Sequence, residues 1–131
     1  MRILAQFKQI PEYINFCIAE LKSLFTIHGV APWEIFEMEN EQIELIKEKP
    51  YMLTRELFPT FPFVYLKPHS EEILKSIISR SLLTKSFVKI ISEGNSTEEL
   101  IQNVDVEKYR DILESPDSFC FMVDTHNRWY Q

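Results

Sequence analysis

Few residues of this 131-residue chain have the types and spacing to do chemistry, and the most distinctive group is basic. Between Ile73 and Ser92 stand four cations, Lys75, Arg80, Lys85 and Lys89, with no acid among them. The whole chain carries 14 Lys and Arg against 20 Asp and Glu, a net charge of −6. The stretch therefore reverses the local sign. Clustered cations of this kind contact phosphate groups, which hold a polyanion in register without reading its sequence. Arg80 and Lys85 bracket the turn between an expected helix and the strand after it. A second reading stays open beside the first: cations are favoured near a helix C-terminus, and surface lysines are ordinary. An acidic chain is a poor non-specific binder of nucleic acid by itself, because its field repels polyanions at long range.

The other reactive residues form no constellation. Cys17 and Cys120 lie near opposite ends of the chain, and His28, His69 and His126 are as scattered. Two distant cysteines suit a reducing compartment better than a disulfide framework. A zinc site needs more ligands at closer spacing. Ser118, Cys120 and His126 share one short region, but nothing around them resembles a nucleophile with its base and orienting acid. The carboxylate groups Glu37/Glu39/Glu41, Glu71/Glu72 and Glu98/Glu99 read as solvated faces or helix N-terminal turns. With only Gly29 and Gly94 as glycines, there is neither a GxGxxG turn nor a Walker A loop to cradle phosphate. No cofactor site is expected in this chain. No apolar run reaches membrane-spanning length, and the N-terminal apolar stretch is too short for a signal peptide.

The elements that must position these residues are set by periodicity and breakers. Arg2 to Lys8 predicts a short strand. Pro11 opens a helix, where proline is tolerated in the first turn. Ile14, Phe16, Cys17, Leu21, Leu24 and Phe25 lay one wide apolar stripe along it. Gly29 is the natural left-handed cap, and Pro32 forbids continuation. Trp33 to Met38 alternates and predicts a strand. Glu39 to Lys49 fits a short helix or a strand equally well. Pro50, Pro59 and Pro62 break the next stretch of chain into irregular pieces. Phe61 to Lys67 predicts a strand. Ser70 then caps a helix whose first turn holds Glu71 and Glu72, with Ile73, Leu74, Ile77, Ile78 and Leu82 on its apolar face. Ser86 to Ile91 predicts the last strand of this series.

The order is β-α-β-β-α-β. It predicts an α+β, ferredoxin-like domain over residues 1–93: a four-stranded antiparallel sheet with two helices on one face. After Gly94 the character changes. Ser96 and Glu99 have capping-box spacing, predicting a short helix to about Val104. Asp105 can cap a second helix carrying Val106, Tyr109, Ile112 and Leu113. Phe119 to Asp124 predicts a strand. Two helices and a strand cannot close a core of their own, so residues 94–131 read as the start of a further domain.

An ordered series of segments carries a family resemblance. It comprises Ala19-Glu20-Leu21-Lys22-Ser23-Leu24, Phe63-Val64-Tyr65-Leu66, Ser70-Glu71-Glu72-Ile73, Ser79 to Ser86 (Ser-Arg-Ser-Leu-Leu-Thr-Lys-Ser), Gly94 to Leu100 (Gly-Asn-Ser-Thr-Glu-Glu-Leu) and Ser118 to Asn127. Together they resemble the N-terminal region of the eukaryotic tRNA (guanosine-10) N2-methyltransferase catalytic subunit. Residues 39–60 do not match well and look like an insertion.

The resemblance implies a ferredoxin-like domain followed by a truncated THUMP domain, a tRNA-binding module. It implies a Rossmann-like catalytic domain beyond this chain, carrying S-adenosylmethionine and an Asp-Pro-Pro-Tyr motif. A small zinc-binding activator subunit would join that missing domain, and the protein would be cytoplasmic. No catalytic residue carries over to any position here. Under the resemblance Lys75, Arg80, Lys85 and Lys89 become the candidate tRNA contacts. The expected role is architectural: supporting the THUMP module and setting the distance from the bound tRNA to the active site. The alternative is a free-standing ferredoxin-like interaction or regulatory module with no RNA role, which the acidic charge and absent chemistry suit equally.

Overall fold

A computed structural model describes residues 2–105, Glu107 and Arg110. The expected helix from Asp105, its apolar face and the expected strand Phe119–Asp124 lie outside the described residues. The chain divides into two units, Met1–Ile90 and Ile91–Gln131.

The first unit is α+β. Strand β1 (Ile3–Phe7) is central in a three-stranded antiparallel sheet, with β2 (Phe63–Leu66) on one side and β3 (Thr84–Lys89) on the other. The β1–β2 register pairs Ile3 with Leu66 and Ala5 with Val64. The β1–β3 register pairs Ile3 with Lys89 and Ala5 with Phe87, then shifts between Gln6 and Phe7. Helices α1 (Cys17–Ile27) and α3 (Glu71–Arg80) bury Ile18, Leu21, Phe25, Leu74 and Ile77 in one core with Ile3, Ala5, Phe7, Val64 and Leu66. Alternate strand residues share a sheet face, so this core lies on the face defined by Ile3, Ala5 and Phe7.

Local chemistry explains the boundaries. Pro11 begins a 3-10 turn, Pro11–Phe16, and the α-helix starts only at Cys17. Of the expected stripe Cys17, Leu21 and Phe25 are buried, joined by Ile18, whereas Leu24 is half-buried and Phe16, in the 3-10 turn, is exposed. Gly29 takes φ 81°, the left-handed conformation expected of it, and its N–H donates to the Thr26 carbonyl at 3.0 Å. Ser70 caps α3 by accepting from the Ile73 N–H at 3.3 Å.

The second expected strand is corrected. Pro32 starts a 3-10 turn, Pro32–Glu34, and Trp33 to Met38 contributes a single bridge, Phe36 to Leu66. Flanking bonds hold it there, with Lys67 N–H on the Ile35 carbonyl and Glu37 N–H on the Tyr65 carbonyl, each at 3.0 Å. The described sheet therefore has three strands, not four. A proline that fixes its φ just upstream favours the turn over an extended run, and two buried neighbours, Ile35 and Phe36, break the two-sided alternation a strand requires.

Residues 39–60 resolve toward helix. Helix α2 (Asn40–Glu48) precedes two 3-10 turns, Pro50–Met52 and Arg55–Leu57. The segment is not a peripheral appendage. Ile46, Leu53 and Phe58 belong to the core, and Phe58 packs on Phe36 with ring centroids 4.8 Å apart.

In the second unit, α4 (Thr97–Gln102) ends two residues before the expected Val104. Ser96 Oγ accepts from the Glu99 N–H at 3.2 Å. The returning half of the box differs from expectation, because the Glu99 carboxylate accepts from the Asn95 N–H, at 2.7 Å. A Cβ at Gly94 would lie 2.7 Å from the Glu99 Cβ, so this close approach needs glycine.

Candidate functional site

Helix α3 and strand β3 carry all four candidate cations. Glu71, Leu74, Lys75 and Ile78 succeed one another at helical spacings of three, one and three, which makes a single stripe along α3. That stripe faces β3 across a groove of about 370 Å³. Lys85, Phe87 and Lys89 supply the strand side, and Ile3 contributes to the floor. Lys75, Lys85 and Lys89 are thus brought together. Arg80 does not join them: at 100° per residue it stands about 140° around the helix from Lys75, and it is exposed at the last residue of α3.

Lys89 forms an ion pair with Glu71 across the groove. The hydrogen bond and charge of Lys89, with a further contribution from Lys75, hold the Glu71 carboxyl below the usual carboxylate range. Both partners are more than half exposed, so the pair adds little to stability. Its consequence is electrostatic: the Lys89 charge is balanced within the groove.

The turn between α3 and β3 is fixed from a distance by Glu20 of α1. Its carboxylate accepts from Ser81 Oγ, from the Leu82 N–H at 3.0 Å and from the Leu83 N–H at 3.1 Å. Ser81 Oγ in turn accepts from the Thr84 N–H at 2.9 Å, the first residue of β3. Three donors at the end of a helix meet one charged acceptor, and a charge-assisted bond is the stronger kind. Two of the segments that carry the resemblance, 19–24 and 79–86, therefore meet at this carboxylate. Sequence reasoning gives Glu20 no role, since no local pattern announces an acceptor 61 positions from its donor.

Removing this carboxylate should be costly. Glu20→Ala should lose about 1–3 kcal/mol, the range for stranding part-buried donors, measured by urea denaturation. Glu20→Gln keeps one carbonyl oxygen and should recover part of the loss. A cost below about 0.5 kcal/mol, within the range of ordinary surface changes, would mean that water serves these donors as well as the carboxylate does.

The remaining reactive residues are occupied structurally. Cys17 is a fully buried free thiol directed at the Lys8 and Tyr13 carbonyls. Burial, then the nearby Glu20 charge, pushes its pKa up, the opposite of an activated thiolate. His69 packs its ring 4.6 Å from Phe25, and its Nε2 lies 2.9 Å from the Ile35 carbonyl. Ser118, Cys120 and His126 lie outside the described residues. Among the described residues no three metal-binding side chains cluster, and no helix is long and apolar enough to cross a membrane.

Against known proteins, the chain is similar to the tRNA (guanine(10)-N(2))-methyltransferase TRMT11 of Pongo abelii, 26% identical over 120 residues, which cover 89% of this chain and 22% of that protein. The protein of the same name from Homo sapiens is 25% identical over the same coverage. The chain thus spans 22% of the length of the curated relatives it matches. No family model matches, and no solved structure matches.

Proposed function

We propose that this chain is the N-terminal region of a tRNA guanine-N2 methyltransferase and serves tRNA binding and positioning without catalysing the transfer. The observation that carries the reading is the similarity to the TRMT11 proteins along 89% of the chain. The described elements support a ferredoxin-like domain over residues 1–93, in that the bridge at Phe36 extends the sheet order to Phe36-β2-β1-β3, all antiparallel. This is the strand order of a split βαβ unit whose second strand has shrunk to one bridge. Residues 94–131 would begin a THUMP domain. S-adenosylmethionine and the zinc-binding activator subunit would belong to a catalytic domain outside this sequence.

In this reading the cations of α3 and β3 touch tRNA phosphates. Arg80 and Lys85 are the stronger pair, because they flank the turn held by Glu20. Lys89 is already neutralised by Glu71, and Lys75 sits beside that same carboxylate. The carboxylate-locked turn fixes the backbone between the two residues, from which their side chains extend, and this suits register on a polyanion.

The test is made in the full-length protein that carries this chain. The double substitution Arg80→Ala and Lys85→Ala should weaken tRNA binding and reduce the dependence of log affinity on log salt by about one to two units. Both side chains are exposed, so stability should change by no more than about 0.5 kcal/mol. Filter binding across a salt series reads the slope, and thermal melting checks the fold. An unchanged slope in a folded variant would leave the two residues as helix-end charges and the domain as a spacer.

A further inference from the structure

The turn that separates Arg80 from Lys85 owes its main-chain order to a residue of another helix. Ser81, Leu82, Leu83 and Thr84 make the turn, and the N–H of each is bonded. The Ser81 N–H donates to the Ile77 carbonyl at 2.9 Å, which closes α3. The Leu82 and Leu83 N–H groups donate to the Glu20 carboxylate at 3.0 and 3.1 Å. The Thr84 N–H donates to Ser81 Oγ at 2.9 Å, and that hydroxyl donates in turn to Glu20. The order of Leu82, Leu83 and Thr84 thus traces back to one carboxylate. Burial does not replace it at the centre of the turn, because Leu82 is 75% exposed. Glu20 itself stands on a fixed support, since its neighbours on α1, Ile18 and Leu21, belong to the core.

We propose that Glu20 is a positioning residue for tRNA binding. It orders the turn before RNA arrives, so that Arg80 and Lys85 meet phosphate without the cost of ordering the chain between them. The proposal rests on the tRNA reading above and adds to it a residue that acts on RNA only through others.

The sign of the effect separates this role from two simpler ones. By its field alone, an acid beside a phosphate-binding turn repels a polyanion, so neutralising it would tighten binding. A contact that serves only stability would lower the melting temperature and leave the affinity of the folded protein unchanged. Positioning has the opposite sign to the field. A turn released in the free protein must be ordered on binding, and that ordering subtracts from affinity.

The test is a thermodynamic cycle in the full-length protein that carries this chain, with unfractionated tRNA as the probe. Filter binding is read well below the melting transition of every variant. Glu20→Gln keeps the shape of the side chain and removes its charge, and it should weaken binding roughly three- to tenfold. Ser81→Ala alters no charge, breaks the link from Glu20 to the Thr84 N–H, and should weaken binding in the same direction. It carries the test if Glu20→Gln does not fold. In the Arg80→Ala, Lys85→Ala background the loss caused by Glu20→Gln should vanish, because a cycle registers dependence of one residue on another. Equal or tighter binding by the folded variant would overturn the proposal and leave Glu20 as a stability contact. A loss of the same size in the double-alanine background would also overturn it, since Glu20 would then act elsewhere. Both of those outcomes spare the tRNA reading when the double-alanine protein itself binds more weakly with a reduced salt slope. Full tRNA affinity in the double-alanine protein would remove that reading and this proposal together.

Discussion

Replacing Phe25 with alanine should lower the stability of the first unit by about 3–5 kcal/mol, the cost of emptying a fully buried aromatic site. Phe25 is 0% exposed. Its ring lies 4.6 Å from His69, just before α3, and 6.5 Å from Phe87 on β3. One side chain on α1 thus joins the segment that leads into α3 and the edge strand β3, and the hole left by truncation would be walled by parts of the fold that cannot all close on it. Small domains hold about 5–15 kcal/mol in total, so the variant should remain folded only marginally, with a large fall in melting temperature. Urea denaturation of the full chain measures the loss. Leu24→Ala, a half-buried neighbour on the same helix, is the control and should cost clearly less. A Phe25→Ala loss near that of the control would mean that the core relaxes around the hole.

The residues that sequence reasoning reads well are those whose local chemistry decides the outcome. Gly29 has few other uses after an apolar helical stripe, and its φ of 81° is permitted by the absent Cβ. Ser70 before two glutamates is an N-cap by composition alone. The three paired strands are legible because each is a short apolar run beside a breaker, although every one is displaced or shortened by a residue or two. The sheet's missing strand is not legible. Trp33 to Met38 alternates well enough for either outcome, and the choice is made by packing: Ile35 and Phe36 are both 0% exposed, which a solvent-backed strand would not allow.

Site residues divide in the same way. The basic stretch is visible as a run of charge, but a run has no faces until the helix is placed. Lys75 and Arg80 are five positions apart, so they leave α3 in different directions, and the expected group of four becomes three lysines in a groove and an arginine outside it. Lys89 reads in the sequence as one more surface cation, yet Glu71, eighteen positions earlier, meets it through the fold. Glu20 is the extreme case. It bonds to three donors in the turn after α3, and only tertiary geometry brings that turn to it.

Phe36→Ala should cost a further member of the core about 3–5 kcal/mol, and its manner of loss is as informative as its size. Phe36 is 0% exposed, bridges Leu66 of β2 and packs its ring 4.8 Å from Phe58. It therefore stands between the sheet and residues 39–60, the segment that resembles an insertion. Were that segment an appendage, removing the ring would release it locally and leave the sheet nearly intact. Its buried residues say otherwise: Ile46, Leu53 and Phe58 share one core with β1 and β2. A cavity at Phe36 should then weaken both sides together, and unfolding should stay a single cooperative step, as small domains usually show. Hydrogen exchange in the variant reads this directly. Amides of α2 and of β2 should lose protection by similar factors, because both open in the same event. Exchange that accelerates across Asn40–Glu48 while Phe63–Leu66 keeps its protection would identify the segment as separable. It would also place the stability of the first unit in the sheet and its two covering helices alone.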